Sequence, residues 1–320
     1  MAVGDPEHGR ARQSVQFALS RARRLGRRVL RGRPDGEPFA ANYTQWQARQ
    51  GKSLIPVWLS ESTRTERSSA VAVVFHVYFV DLVDEFIAQL AQIPVDFDLV
   101  VTNSSGTPLS IPIDRLPHAK TISIVDSPNH GRDIFPFVSV VNAGLLDNAR
   151  LVLKVHTKKS AWRDNREDLA GSGETWKAGF LAELLGSTAN VEQILSGFAE
   201  DSALGVVTST GNVLGTEYWG GDEAITRSLF RRLGRELDAA TLRFPAGSMY
   251  WVNPAVIREL KRMNLDAEDF ETEAGQIDGT TAHAVERSMG LITMALGLAI
   301  EDRATMPAPY DPAAWRAFVS

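Results

Sequence analysis

Two lysines, an imidazole and two hydroxyls occupy consecutive positions directly after an apolar run. Residues 151–155 (LVLKV) are apolar except for Lys154, which predicts a buried β-strand. The polar residues follow as His156-Thr-Lys-Lys-Ser160. Because ligands of an open α/β sheet bind outside the carboxyl ends of its strands, this cationic cluster is placed to hold an anion such as a nucleoside diphosphate. The structural alternative is a strand that ends in a solvated Lys-Lys turn.

A second polar set, Asn129-His-Gly-Arg-Asp133, lies between a predicted strand and a predicted helix. Gly131 permits a positive φ, and the start of a helix offers free N–H groups that suit an anion or sugar hydroxyls. The alternative is a local ion pair between Arg132 and Asp133.

A third set is Phe244-Pro-Ala-Gly-Ser-Met-Tyr-Trp251. Its small residues leave room beside Tyr250 and Trp251, and aromatic faces next to small polar groups such as Ser248 suit sugar rings. A core position for Trp251 is equally compatible with the pattern.

The fourth set is rich in ionisable groups: Glu271, Glu273, Gln276, Asp278, His283, Glu286 and Arg287. On a helix His283 shares a face with Glu286 or Arg287, which favours a structural His–Glu pair. Asp278 precedes Gly279 near a predicted helix start, and it is better placed to be a general base.

Alternating strands and helices must position these four sets. Strands are predicted at 70–78, 97–102, 121–125, 151–155 and 204–208, and helices at 81–92, 134–146, 175–185, 190–198, 225–233, 254–263 and in the second half of 276–287. This rhythm with short connections predicts an α/β sheet of mostly parallel strands flanked by helices.

Composition excludes several classes of site. The 320 residues include no Cys, which excludes disulfides, thiolate metal sites and Cys nucleophiles. No apolar run reaches the roughly 18–20 residues that span a bilayer, and Arg interrupts every apolar run near the N-terminus. A cytoplasmic protein is therefore expected.

Charge divides the chain into segments. Residues 1–33 carry nine Arg against two acids, although the whole chain has a net charge of −5. Within them, residues 14–30 have the pattern of a basic amphipathic helix, which predicts contact with an anionic membrane. The alternatives are a helix that packs on the main domain or on a second copy of the chain, and a partly disordered tail. No motif supports nucleic-acid binding. We predict a linker at 34–69, an α/β domain at 70–304 and a C-terminal tail at 305–320.

Six motifs in the chain identify a known family by resemblance. They are FHVYFVDL (75–82), IPVDFDLVVT (93–102), NHGRDIFPF (129–137), LKVHTKKS (153–160), FPAGSMYW (244–251) and QIDGTTAHAVER (276–287). Together they resemble the rhamnan synthesis protein F family, glycosyltransferases of bacterial surface polysaccharide assembly. The resemblance implies a GT-A-like nucleotide-sugar fold. It also implies transfer of a sugar, with dTDP-L-rhamnose as the expected donor, to a glycan or polyprenyl-linked acceptor.

The resemblance also implies a role for each set. Enzymes of that fold usually hold a divalent metal on an Asp-x-Asp motif after the fourth strand, where this chain has His156-Thr-Lys-Lys159. Since cationic side chains can stabilise the leaving diphosphate, we expect a metal-independent, inverting enzyme, with Mg²⁺ as the alternative. The implied donor-site residues are His76, Tyr78, Asn129, Arg132, Asp133, His156, Lys158 and Lys159; the sugar or acceptor wall is Ser248, Tyr250, Trp251 and His283; the base is Asp278, with Glu273 as its substitute.

Two other readings compete with this one. A non-catalytic carbohydrate-binding or scaffold subunit of a polysaccharide synthase would keep the sheet without needing a base. A metal-dependent hydrolase or phosphotransferase would use Asp126, Asp133 and Asp278. The glycosyltransferase reading places the protein in the cytoplasm, peripherally on the inner face of the cell membrane.

Overall fold

A computed structural model describes residues 58–59, 69–157, 173–276, 278–307, 310–311 and 313–319. The predicted basic helix at 14–30 and the lysines at 158 and 159 lie outside these residues. The described strands are β1 (Trp58–Leu59), β2 (Val71–Val77), β3 (Phe97–Asn103), β4 (Ala119–Asp126), β5 (Leu151–His156), β6 (Leu204–Thr208), β7 (Val213–Leu214), β8 (Phe244–Pro245), β9 (Tyr250–Val252) and β10 (Ala299–Asp302). The described helices are α1 (Val83–Leu90), α2 (Ile134–Asn142), α3 (Gly173–Leu184), α4 (Thr188–Glu200), α5 (Glu223–Arg232), α6 (Pro254–Arg262), α7 (Thr281–Ala295) and α8 (Ala314–Val319).

Eight strands form one mixed sheet in the order β1-β4-β3-β2-β5-β9-β6-β10. Strands β4, β3, β2 and β5 run parallel to one another, as do β6 and β10, whereas β1 pairs antiparallel with β4 and β9 runs antiparallel between β5 and β6. The predicted α/β class with a mostly parallel sheet flanked by helices is confirmed, and it is consistent with a GT-A-like fold. The strands β9 and β10 were missed, because three and four residues carry too little alternation to identify a strand.

Alternation along the strands separates two apolar cores. Phe75, Leu153 and Trp251 belong to one core, together with side chains of α1, α3, α4 and α8. Val74 and Tyr250 belong to the other core, on the face covered by α2, α5, α6 and α7. Because neighbouring side chains of a strand point to opposite faces, His76, Lys154 and His156 share the face of Tyr250. That face carries the candidate site.

Both predicted flanking segments contribute residues to the folded domain. The β1 pair lies within the predicted linker and hydrogen-bonds antiparallel to β4. In the predicted tail, the Tyr310 hydroxyl donates to Glu192 at 2.9 Å, and Ser196 Oγ donates to the Asp311 carbonyl at 3.0 Å. None of the helices in the described part of the chain has the length and apolar character needed to cross a bilayer.

Candidate functional site

A buried ion pair lies beneath the carboxyl edge of the parallel strands. Lys154 is 1% exposed, and its Nζ donates to Asp133 Oδ2 at 2.5 Å and to the Ser248 carbonyl at 2.8 Å. Burial raises the pKa of Asp133, but the His156 imidazole and the Lys154 ammonium outweigh it and hold that pKa well below its ordinary value. Asp133 is therefore ionised, as a buried charge with close opposite charges should be. Its ion-pair partner is Lys154, which corrects the alternative of a local Arg132–Asp133 pair.

Two histidines at the strand ends face this pair. His76 Nδ1 lies 3.0 Å from Thr102 Oγ1, and His156 Nδ1 lies 3.4 Å from Asp133 Oδ2. Burial lowers the pKa of His76 to about 4 against the opposing effect of Asp133, with a further lowering from Lys154, so its imidazole is neutral at pH 7. Both rings are buried at the carboxyl ends of β2 and β5.

Thr157 fastens the chain after β5 to the chain after β2. Its Oγ1 accepts hydrogen bonds from the backbone N–H groups of Tyr78, at 2.9 Å, and Phe79, at 3.0 Å. The Tyr78 side chain is 42% exposed at this edge of the sheet. Thr157 was not assigned a role from the sequence, and its bonds fix the point from which the predicted Lys158–Lys159 pair continues.

The turn before α2 has two consecutive residues in the left-handed region, Gly131 at φ 59° and Arg132 at φ 57°. A Cβ on Gly131 would lie 2.6 Å from Phe135 Cβ and 2.7 Å from the Phe270 ring, so the position requires glycine. The Arg132 N–H donates to Glu273 Oε1 at 3.0 Å. Glu273, the predicted substitute base, thus holds this turn in place.

A small pocket opens beside the turn. It is lined by Gly131, Arg132, Phe270, Glu271, Glu273, Gln276, Thr280 and Ala282. Among the described residues, no hydrogen bond or ion pair engages the partly exposed Arg132 guanidinium. This cation is therefore available to an anionic ligand. Asn129 is exposed nearby in sequence and lines no part of the pocket.

The predicted base, Asp278, forms a carboxyl pair with Asp222. Asp278 is partly exposed and accepts the Gly221 N–H at 2.8 Å, while Asp222 is fully buried. Burial raises the pKa of Asp222 to about 8, and the hydrogen bond to Asp278 raises it too, against the effect of Arg287. Burial also acts to raise the pKa of Asp278, but hydrogen bonds from Asp222 and from backbone N–H groups, with Arg287, bring that pKa below its ordinary value. Asp278 is the ionised member of the pair.

Arg287 binds both acids from α7. Its Nε lies 3.3 Å from Asp222 Oδ2 and its Nη2 lies 3.5 Å from Asp278 Oδ1. The same guanidinium donates to Glu286 at 2.9 Å and to the Tyr218 carbonyl at 3.1 Å. The predicted His283–Glu286 pair is wrong, because Glu286 bonds Arg287 and the Gly247 N–H.

His283 lies beside the carboxyl pair, with a ring nitrogen within 4.8 Å of an oxygen of each acid. Its Nδ1 is 2.8 Å from Thr280 Oγ1. Burial lowers the pKa of His283 to about 4, and Arg132 and Arg287 lower it further, while Asp278 and Asp133 act in the opposite direction. Charges of the turn before α2 and of the carboxyl pair therefore both act on this ring. The pocket that Arg132 lines also includes Thr280 and Ala282 at the start of α7, the helix that carries His283.

One group of donors could hold a metal ion in the described part of the chain. Asp222, Asp278 and His283 each offer a ligand atom, all within 4.8 Å of one another. The alternative set of Asp126, Asp133 and Asp278 is wrong as a metal centre, because Asp126 accepts from Asn103 and Lys154 engages Asp133. Arg287 already supplies positive charge to the observed group.

The predicted aromatic wall is not at the surface. Tyr250 and Trp251 are completely buried, and Trp251 Nε1 donates to the Leu184 carbonyl at 3.2 Å on the opposite face from Lys154. Trp251 is therefore a core residue, which corrects its assignment to a sugar-binding surface. Ser248 is also buried, at φ 60°, and contributes its carbonyl to Lys154.

Two residues outside the predicted site proved central to it. Lys154 was visible as the one charge inside an apolar strand, a pattern that signals a buried pair. Asp222 follows Gly220 and Gly221 in a loop with no periodicity, so no local signal linked it to Asp278, 56 positions away.

Comparison with known proteins identifies a family and two relatives. Residues 40–297 match the family model for rhamnan synthesis protein F. Two curated relatives, each called "Uncharacterized protein WxcX", come from Xanthomonas campestris pv. campestris strains B100 and ATCC 33913. Each is 33% identical over 225 residues, which cover 70% of this chain and 31% of the relative. The chain thus spans about a third of the length of these relatives.

Proposed function

The chain belongs to the rhamnan synthesis protein F family, and from this membership we propose that it is a glycosyltransferase of polysaccharide synthesis. The family name supports a role in making a rhamnose polymer. The sheet supports the proposal because ligands of open α/β sheets bind at the carboxyl edge, where the site lies.

The single observation that carries the proposal is that an ionised carboxylate and a cation that could bind an anionic ligand both lie on one face of the sheet. Asp278 is partly exposed and ionised, and no hydrogen bond or ion pair engages the Arg132 guanidinium among the described residues. Both act on the buried His283 between them. Glycosyl transfer from a sugar nucleotide needs these two functions, a base at the acceptor hydroxyl and a cation at the diphosphate of the donor.

The proposed reaction is a direct displacement. Asp278 removes the proton from an acceptor hydroxyl, whose oxygen attacks the anomeric carbon of the donor. The bond from that carbon to the diphosphate oxygen breaks, and its electron pair leaves with the nucleoside diphosphate. Arg132 and the lysines at 158 and 159 stabilise the negative charge of the departing nucleoside diphosphate without a metal, and the configuration at the anomeric carbon inverts.

The finer assignments are also proposals. The donor is dTDP-L-rhamnose, and the exposed ring of Tyr78 stacks on its base at the end of β2. The acceptor is a glycan or its polyprenyl-linked form. Residues 14–30 hold the enzyme peripherally on the anionic inner face of the membrane.

A thermal-shift screen of nucleotide-sugars followed by an assay for release of nucleoside diphosphate tests the proposal. A true donor should stabilise the native protein by mass action and be hydrolysed slowly without acceptor. Glycan binding with neither donor binding nor hydrolysis would favour the non-catalytic subunit instead.

A further inference from the structure

An exposed aromatic side chain beside the carboxyl pair has no role in the proposed reaction. Where the structure describes side chains, the large apolar residues left exposed are Tyr78, Val80 and Tyr218. Tyr218 is 44% exposed, and its hydroxyl makes no hydrogen bond to another described residue. Because the predicted wall of Tyr250 and Trp251 is buried, Tyr218 is the candidate for an aromatic surface next to the base.

The backbone that carries this ring is anchored in the protein. Tyr218 is the last residue of one turn of 3₁₀-helix, Thr216–Tyr218, and its N–H donates to the Gly215 carbonyl at 3.0 Å. The next residue, Trp219, packs against the core that contains α5 and α7, and its Nε1 donates to the Ala239 carbonyl at 2.9 Å. A ring presented on an anchored turn loses little conformational freedom when a ligand binds.

The same turn is attached to Asp278 by three contacts. Arg287 Nη2 donates to the Tyr218 carbonyl at 3.1 Å and lies 3.5 Å from Asp278 Oδ1, so the turn and the carboxylate lie on either side of one nitrogen atom. The Gly221 N–H donates to Asp278 Oδ2 at 2.8 Å. Gly220 adopts φ 51°, and a Cβ there would lie 1.8 Å from the same oxygen. The chain that follows Tyr218 therefore passes directly against the proposed base.

The charges around Tyr218 favour a neutral ligand that carries hydroxyl groups. Glu217 is exposed and Asp278 is partly exposed, whereas the nearby Arg287 is largely buried and already engaged by three acids. A phosphate group would therefore meet like charges here, which opposes its binding. A sugar ring instead offers a C–H face to the phenol ring and hydroxyls that donate to carboxylates.

We propose that Tyr218 is an acceptor-binding residue, whose ring stacks on the terminal sugar of a neutral glycan and so places one hydroxyl of that sugar at Asp278. The proposal rests on the proposed function, in which Asp278 is the base. Because the family name refers to a rhamnan, the glycan that we assign to this surface ends in rhamnose. Donor and acceptor would then contact different exposed tyrosines, Tyr78 and Tyr218.

Substitution of Tyr218 by Ala and by Phe separates the ring from its hydroxyl. With dTDP-L-rhamnose as donor and a rhamnose trisaccharide as acceptor, Tyr218→Ala should raise the KM for the trisaccharide at least about tenfold, with the KM for the donor changed less than about threefold. Tyr218→Phe keeps the ring, so its acceptor KM should stay within about threefold of the wild type. An acceptor KM unchanged in Tyr218→Ala, or raised equally in both variants, would overturn the proposal.

Tyr78→Ala is the matched comparison, because it removes the other exposed tyrosine. Its effect should be the reverse, with a raised KM for the donor and an acceptor KM close to that of the wild type. The Tm of Tyr218→Ala should stay within about 2 °C of the wild type, since the ring is exposed. If both variants raised both KM values alike, the division between donor and acceptor sides would be wrong and the proposal would fail.

Isothermal titration calorimetry with the trisaccharide and no nucleotide makes the test independent of turnover. If the wild type and Tyr218→Phe bind it and Tyr218→Ala binds at least about tenfold more weakly, but no nucleotide-sugar is turned over, the sugar surface stands and the proposed function fails. Turnover with equal trisaccharide affinity in all three proteins overturns the surface and leaves the function. A wild type that does not bind the trisaccharide overturns the surface. So would weaker binding of Tyr218→Ala to phosphatidylglycerol vesicles with trisaccharide affinity unchanged, which would make Tyr218 a membrane contact.

Discussion

The Lys154 ammonium lies 2.5 Å from Asp133 Oδ2, which joins the end of β5 to the turn that begins α2. Both side chains are largely withdrawn from water, and the same ammonium also donates to the Ser248 carbonyl. Three chain segments are thus fixed around one buried positive charge. The turn that presents Arg132 is directly adjacent to Asp133, so the geometry of the site depends on this ion pair.

Removal of the buried ammonium should be severely destabilising. Lys154→Met leaves the Asp133 carboxylate buried with its closest cationic partner gone, and we expect a loss of about 3–5 kcal/mol in the free energy of unfolding. Urea denaturation measures this loss. Lys261→Met is the matched control, because Lys261 pairs with Asp147 on the surface and should cost less than about 1 kcal/mol. Equal costs for the two variants would show that the buried pair does not organise the fold.

The glycine in the turn before α2 should tolerate no side chain. Gly131→Ala brings a Cβ within 2.6 Å of Phe135 and forces alanine to φ 59°, so we expect a loss of at least about 2 kcal/mol. Gly106 has φ 75° but nothing within 4 Å, and Gly106→Ala should cost only about 1 kcal/mol of backbone strain. Both values come from the same denaturation experiment. A Gly131→Ala variant as stable as Gly106→Ala would mean that the turn relaxes freely.

The sheet could be predicted because its central strands are mostly apolar. The predicted strand at 204–208 coincides with β6, and those at 97–102 and 151–155 each fall one residue short of β3 and β5. The extra residues are Asn103 and His156, polar groups that hydrophobic patterns assign to loops. Tyr250 and Trp251 were predicted to form a ligand surface because aromatic residues suit both a core and a sugar, and only tertiary packing decides between them.

The site was predictable in its parts and not in its pairings. Asp278, Arg132 and His283 carry ionisable groups in loops or at a helix start, and the sequence alone drew attention to them. Their partners come from distant segments: Asp222 for Asp278, Lys154 for Asp133 and Glu273 for the Arg132 backbone. Pairings of this kind are set by the order of strands and by helix packing, which no local pattern contains.

Acid should destabilise the protein partly through His76. The folded pKa of about 4 lies below the ordinary 6.5, so the stability due to the neutral ring is present above pH 6.5 and is lost as pH falls toward 4. The loss from this residue should be at most about 3 kcal/mol. His76→Asn keeps a donor toward Thr102 but cannot titrate, and its unfolding free energy should vary less between pH 7 and 4.5. Parallel profiles for the two proteins would show that His76 is not buried as a neutral ring.

The Arg132 guanidinium should contribute to nucleotide binding rather than to stability. Because its side chain makes no hydrogen bond or ion pair within the described part of the chain, Arg132→Ala should weaken nucleoside diphosphate binding by about tenfold while changing the free energy of unfolding by less than about 1 kcal/mol. Lys158→Ala should weaken the same binding if the cationic cluster after β5 also contacts the diphosphate. Isothermal titration calorimetry measures the nucleoside diphosphate affinity of both variants. Unchanged affinity in both variants would remove these cations from the donor site.

Asp278 should be required for turnover and not for donor binding. Asp278→Asn keeps a polar group of the same shape beside Gly221 but cannot accept a proton, so kcat should fall by about 100-fold or more. Donor affinity, measured by thermal shift, should stay within about threefold of the wild type, because in the proposed function Arg132, and not this carboxylate, holds the diphosphate. Glu273→Gln serves as the control for the competing base: its side chain holds the Arg132 N–H, so kcat should fall far less than in Asp278→Asn. If Glu273→Gln abolished turnover and Asp278→Asn retained it, the base would be Glu273 and not Asp278.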